Sequence, residues 1–127
     1  MNIEDCKIVV IDDEPGIRRS LSVYLEDEGA EVLVADSGIS ALDIPDIAEV
    51  DVAIVDMRMP EMRGDELIPL LHEKNSETKF IIYTGSHEVE LSKPLEKVGM
   101  KSGDIIYKPL LDLSLLTDKI NELLNRD

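Results

Sequence analysis

Short apolar runs recur along this chain, and several of them end abruptly on polar residues. Ile8–Val9–Val10–Ile11 runs into Asp12–Asp13, and Val52–Ala53–Ile54–Val55 runs into Asp56. Unbroken β-branched runs of this length suit strands buried on both faces, as in a parallel sheet. Five segments read as strands: Lys7–Ile11, Glu31–Ala35, Asp51–Val55, Lys79–Tyr83 and Asp104–Tyr107. Between them the apolar spacing changes to that of a helix. Ile17, Leu21, Tyr24 and Leu25 predict a helix from Pro15 to about Glu28. Pro15 suits its first turn, where the missing N–H would be unpaired anyway, and Gly29 closes it. Ser37 is placed to cap a second helix near Gly38, which Pro45 shortens or kinks. Leu67, Ile68, Leu70 and Leu71 predict a third over Asp65–Glu73, with Pro69 near its first turn. Val89, Leu91, Leu95 and Val98 suggest a fourth between Ser86 and Lys101, which Pro94 leaves broken, shifted or mobile. Leu113, Leu116, Ile120, Leu123 and Leu124 mark a long last helix.

The order is strand–helix repeated five times. Such alternation predicts an α/β domain with one parallel sheet covered by helices on both faces. With 127 residues the chain makes one domain over 1–127, with room for a real core. Nothing in it is repeated or of low complexity, and no linker divides it.

Composition narrows the partners. The formal net charge is -15, with a pI near 4.4. Nucleic acid and anionic membrane surfaces call for fields of Lys and Arg, so direct binding to either is not expected. The balance suits a basic partner or a bound divalent metal, and equally a merely soluble surface. No apolar run approaches the 18 to 20 or so residues of a membrane span, and no signal-like segment opens the chain. The single cysteine, Cys6, cannot form an internal disulfide, reads as inert at a strand start, and points to a cytoplasmic setting. His72 and His87 are isolated and read as surface residues.

The chemistry lies at the strand ends. The first strand delivers Asp12 and Asp13, the third Asp56, the fourth Thr84 and the fifth Lys108. Open α/β sheets place their sites at that edge. Each residue has an ordinary explanation by itself: an Asp after a strand as a turn or helix cap, Thr84 as a structural residue, Lys108 as a solvated one. Together they form an oxygen-rich cluster with a hydroxyl and an ammonium. Two unit charges about 4 Å apart interact by roughly 4 kcal/mol at an effective dielectric near 20, so three converging acids call for a cation. Such oxygen ligands suit Mg²⁺, with Mn²⁺ as the alternative, and no Cys/His spacing suggests zinc. One acid could then take a phosphoryl group as an acyl phosphate. Lys108 would offer a movable positive charge and Thr84 a hydroxyl to the phosphoryl oxygens. The backbone carbonyl of Arg58 could complete the metal shell.

These pieces, taken in order, resemble the receiver domain of two-component response regulators, the CheY-like family. The segments are Ile8–Glu14, Asp56–Met57–Arg58–Met59–Pro60 with Gly64 following, Tyr83–Thr84–Gly85, and Lys108–Pro109. The likeness covers essentially the whole chain. It implies a flavodoxin-like, doubly wound sheet in the strand order 2-1-3-4-5. It implies Asp56 as phosphoacceptor, Asp12 and Asp13 as metal-binding acids with Asp13 the more direct ligand, and Thr84 and Lys108 as switch hydroxyl and lysine. The donor would be a phosphohistidine on a sensor histidine kinase or a phosphotransfer protein. A downstream protein or effector domain would read the result, and a homodimer could form through the fourth helix, fifth strand and last helix. The family aromatic three residues before the lysine is Ile105 here. Tyr107 either substitutes for it or is a packed strand residue. The family tunes phosphoryl lifetime at positions that are Arg58 and Ser86 in this chain. Leu91, Leu95 and Val98 serve core packing or, at the edge of that surface, a partner.

The leading expectation is therefore a phosphorylation-activated switch with self-catalysed phosphoacceptance and slow autodephosphorylation, rather than a turnover enzyme. The alternatives are a constitutive interaction module that never uses its acidic pocket, and a Mg²⁺-dependent phosphohydrolase. The chain reads either as a stand-alone regulator or as the receiver segment of something longer.

Overall fold

Alternation within the strands decides which side chains meet. The computed structural model describes residues 2–86 and 89–126. Five strands, β1 (Lys7–Ile11), β2 (Glu31–Ala35), β3 (Val52–Val55), β4 (Lys79–Thr84) and β5 (Ile105–Tyr107), pair in parallel in the order β2-β1-β3-β4-β5. The helices are α1 (Pro15–Asp27), α2 (Gly38–Leu42), α3 (Gly64–Lys74), α4 (Lys93–Lys97) and α5 (Ser114–Leu124). Successive strand residues point to opposite faces. Val9, Ile11, Ala53 and Val55 join Leu67, Ile68 and Leu95 in one core. Ile8, Val10, Val52 and Ile54 join Leu21, Leu25, Leu116 and Ile120 in the other. This is why the central strands read as unbroken apolar runs.

The predicted strands are present, with β4 one residue longer, through Thr84, and small changes at two starts. Asp51 and Asp104 precede β3 and β5 instead of opening them. Each carboxylate accepts a main-chain N–H: Lys7 donates to Asp51 at 2.9 Å, and Lys101 to Asp104 at 3.0 Å. The α1 helix starts on Pro15, and Gly29 turns the chain at φ +99. Ser37 caps α2 through a reciprocal box with Ser40.

Of the two prolines in helices, Pro69 departs from expectation. Pro69 is the sixth residue of α3, beyond the first turn, and the helix continues to Lys74. It withholds one hydrogen bond from the Asp65 carbonyl, a cost offset by burial of Leu67, Ile68 and Leu71. Pro94 is the second residue of α4, which is shifted, as one of the expectations had it, to start at Lys93, because the first-turn N–H groups need no partner in the helix. Val89 and Leu91 therefore lie ahead of a helix of five residues, while Leu95 is fully buried. Core packing is thus the use the structure finds for Leu95, with Leu91 and Val98 packed against that core.

Cys6 is buried beside β1, where burial and the charge of Asp51 push its thiol up to about 12. His72 is half-buried rather than on the surface, and its Nδ1 has no hydrogen-bond partner among the described residues. His87 lies outside the described residues. The start of β5 is tied to the end of α5 by buried Asp104, which accepts two bonds from Arg126 at 2.7 and 2.9 Å and lies 3.4 Å from Lys119. Among the described residues no helix is long and apolar enough to cross a membrane.

Candidate functional site

The strand order reverses between β1 and β3. The chain leaves β1 toward β2 on one side, and β3 lies on the other, so a crevice opens beyond their carboxyl ends. Ile11 and Val55 are register partners, and the next residues are Asp12 and Asp56. The ladder continues past both strands. Asp12 donates its N–H to the Ala35 carbonyl at 3.1 Å, and Asp56 donates to the Ile11 carbonyl at 3.0 Å. Two acids are thereby set side by side on rigid backbone. Asp12 is 2 % exposed and Asp56 5 %, while Asp13 faces solvent. One carboxylate oxygen from each of the three lies within 4.8 Å of the others.

The loop after Asp56 folds straight back. Gly64 donates to the Met57 carbonyl at 2.9 Å, and a Cβ on Gly64 would stand 2.5 Å from the Asp56 carbonyl oxygen. Only glycine permits that approach. Arg58 donates its N–H weakly toward Asp56 Oδ1, at 3.4 Å, and its exposed side chain lines the mouth of the crevice.

The other two groups arrive from the far side of β3. Thr84 is fully buried at the end of β4, and its Oγ1 accepts the Ser86 N–H at 3.2 Å. Lys108 follows β5, and its N–H donates to the Thr84 carbonyl at 2.9 Å. Its ammonium reaches 2.9 Å from Asp12 Oδ2, 3.4 Å from Asp56 Oδ2 and 3.8 Å from Glu14. Asp13, Glu14, Asp56, Arg58, Thr84 and Lys108 line one cavity of about 490 Å³. Every residue singled out from the sequence for this site comes to the same crevice, Asp12 closing it from within.

The electrostatics are those of an acid cluster short of positive charge. Burial pushes the Asp12 carboxyl above its usual range, and the Asp56 charge adds to the rise, although Lys108 and the Glu14 N–H pull the other way. Burial would lower the Lys108 ammonium, but the carboxylates of Asp12, Asp56 and Glu14 outweigh it and hold the lysine above its ordinary value. One ammonium against three clustered aspartates leaves two formal negative charges. An all-oxygen donor set with that surplus, its atoms within reach of one point, fits a hard divalent cation such as Mg²⁺.

Two contributors were not foreseen. Glu14 adds a fourth carboxylate at the rim. Arg18, one turn into α1, donates from Nη1 to the Asp12 carbonyl at 2.7 Å and pins the turn that carries both acids. Its signal in the sequence is a basic residue close to an acidic strand end. Tyr107 stands opposite Thr84 in register, is 41 % exposed, and brings its hydroxyl to 3.5 Å from the Val89 carbonyl. Ile105 packs against the core beside Ile82.

Comparison with known proteins agrees with this geometry. Residues 8–121 match the family model described as the response regulator receiver domain. Regulatory protein AtoC of Escherichia coli is 31% identical over 119 residues, which is 92% of this chain and 25% of that protein. The chain thus spans about a quarter of that relative's length. The structure of a CheY-like receiver domain protein from Methanospirillum hungatei superposes with a TM-score of 0.81 at 30% identity, covering 94% of each chain. Response regulator protein TrrA from Thermotoga maritima, solved in complex with Mg²⁺–BeF, gives a TM-score of 0.78 at 27% identity, covering 94% of this chain and 99% of that one.

Proposed function

The chain belongs to the response regulator receiver domain family, and from that premise we propose that it is a phosphorylation-activated signalling switch with Asp56 as phosphoacceptor. The observation that carries this reading is the convergence of three carboxylates, a hydroxyl and an ammonium from four strand ends in one crevice. The donor is a phosphohistidine on a sensor histidine kinase or a phosphotransfer protein. An Asp56 carboxylate oxygen attacks phosphorus, the bond from phosphorus to the donor's imidazole nitrogen breaks, and an acyl phosphate forms.

Phosphoryl transfer asks chiefly for positioning and for neutral surroundings. Asp56 is held by the Ile11 carbonyl beneath it and by the close return of the chain at Gly64. Lys108 keeps a positive charge 3.4 Å from the acceptor and can turn toward an arriving phosphoryl oxygen. Thr84 Oγ1 already accepts from Ser86, so its own O–H is free to donate to another phosphoryl oxygen. Asp12, Asp13, Asp56 and the Arg58 carbonyl would hold Mg²⁺, or Mn²⁺ in its place, which when bound supplies charge neutralisation at the phosphoryl oxygens.

Drawing Thr84 and Lys108 to the new charge biases β4, β5 and the surface between them, a two-state shift that a downstream protein or effector domain can read. Exposed Tyr107, Leu111 and Leu115 on that side support a protein partner or a homodimer through α4, β5 and α5. A buried free thiol supports a cytoplasmic setting.

Incubation with acetyl phosphate and Mg²⁺, followed by intact mass, tests the assignment. One added phosphoryl group is expected, and none in Asp56→Asn. Undiminished labelling of that variant moves the acceptor elsewhere. An unlabelled native protein whose partner binding ignores the treatment favours a constitutive interaction module. Gel filtration before and after labelling tests the dimer.

A further inference from the structure

We propose that Tyr83 is a positioning residue for Lys108, acting through the loop that carries it. Tyr83 is the last side chain of β4 before Thr84, and it is 4 % exposed. It belongs to the same apolar cluster as Leu116, Ile120 and the partly buried Leu110 and Leu113. An aliphatic residue would satisfy that packing, as Ile81 does two positions earlier. A phenolic oxygen in such surroundings needs a hydrogen-bond partner. Here the partner is main chain: Leu110 donates its N–H to the Tyr83 hydroxyl at 3.1 Å.

That bond matters because of where Leu110 lies. Lys108 is fastened on its near side by its N–H to the Thr84 carbonyl, at 2.9 Å. Pro109 has no N–H to give. Leu111 is fully exposed, and local hydrogen bonds resume only when Ser114 donates to Asp112. Among the described residues, the Tyr83 hydroxyl makes the one hydrogen bond that ties the stretch Pro109–Leu111 to the sheet. Consecutive residues of β4 therefore grip the chain on both sides of Lys108. From that doubly held point the lysine stem passes Gly85, whose Cβ would be 3.8 Å from it, and the ammonium reaches Asp12 at 2.9 Å. Release of the outer grip lets the backbone of Lys108 drift and the ammonium lose its place between Asp12 and Asp56.

Tyr83→Phe keeps the ring and removes the oxygen, so a purely space-filling role predicts a silent change. The catalytic part of the test rests on the proposed phosphoacceptance at Asp56; the spectroscopic part does not. In Tyr83→Phe the Lys108 ammonium, followed by its ¹H–¹⁵N signal, is expected to exchange with water about fivefold faster, the scale of one lost hydrogen bond. Labelling by acetyl phosphate should slow by a similar factor, about fivefold. In a Lys108→Ala background the same tyrosine change should leave the residual labelling rate unaltered, because Tyr83 then has nothing to position. Leu110→Pro removes the donor from the other end and should reproduce the effect if Tyr83→Phe folds poorly.

An ammonium that exchanges at the native rate in both variants overturns the proposal. So does an equal fractional loss of labelling with and without Lys108. If the native protein takes no phosphoryl group, the Asp56 assignment fails, and the ammonium measurement decides the role of Tyr83 without it.

Discussion

Replacing Gly64 with alanine isolates the close approach that sets Asp56. The added Cβ would stand 2.5 Å from the Asp56 carbonyl oxygen and 3.1 Å from Asp56 C and Met57 Cα. All three are main-chain atoms at the tip of β3, so no flexible side chain can give way. Ordinary contact begins at 3.4 Å, so the two strands of the turn must part by about 0.9 Å. The same movement loosens the 2.9 Å bond from Gly64 to the Met57 carbonyl. Overpacking costs about 1–3 kcal/mol. The weakened hydrogen bond adds about 1 kcal/mol, and the better helix propensity of alanine returns up to about 1 kcal/mol. A net loss of about 2 kcal/mol should appear in urea unfolding. Reactivity should suffer by a comparable free energy, because a misplacement near 1 Å can cost up to about a hundredfold. Phosphoryl labelling by acetyl phosphate should fall on the order of 10- to 100-fold. Gly16→Ala is the matched control: nothing lies within 4 Å of its Cβ position, and stability should hold or rise by about 0.5 kcal/mol. If Gly64→Ala unfolds at the native urea midpoint and labels at the native rate, steric crowding at Asp56 is not what the glycine prevents.

Two further outcomes follow from buried groups away from the crevice. Burial pushes the Asp104 carboxyl up, but Arg126, the Lys101 N–H and Lys119 outweigh it and hold the group below its ordinary value of 3.8. The stability this contributes is present above that value and is lost as pH falls through the lower, folded one. Arg126→Met should therefore cost about 1.5–3 kcal/mol at pH 7, the scale of a lost charged hydrogen bond with Lys119 still facing Asp104, with the gap to the native protein narrowing below about pH 4; an equal gap in urea melts at both pH values contradicts the pairing. Cys6, its thiol pushed up to about 12 and buried, should resist alkylation by iodoacetamide at pH 8 until urea unfolds the chain, whereas modification at the rate of an exposed thiol contradicts its burial.

What could be read from the chain alone was whatever depends on short-range order. The apolar runs before Asp12 and Asp56 announce strands, and a strand that ends announces where its next side chain goes. Thr84 and Lys108 were legible for the same reason. Pro69 and Pro94 were less so, because a proline's meaning depends on where the helix starts. Leu67 and Leu71 in α3 and Leu95 in α4 are buried, and that burial, which spacing alone does not tie to a first residue, acts together with the local caps. Arg18 and the Tyr83 hydroxyl act on residues 6 and 27 positions away, on carbonyl and amide groups that leave no mark in the one-letter code. The half-burial of His72 is a matter of neighbours as well.

The sheet is mechanically lopsided. Strands β1 and β3 have a neighbour on each edge and apolar layers on both sides, so they form a stiff keel beneath the acids. Strand β5 has three residues, a single neighbour and an outer tyrosine in contact with solvent. A pull applied at the tips of these strands meets unequal compliance, and displacement runs toward the yielding side. Direction is thus built into the load path of the protein, whatever agent does the pulling.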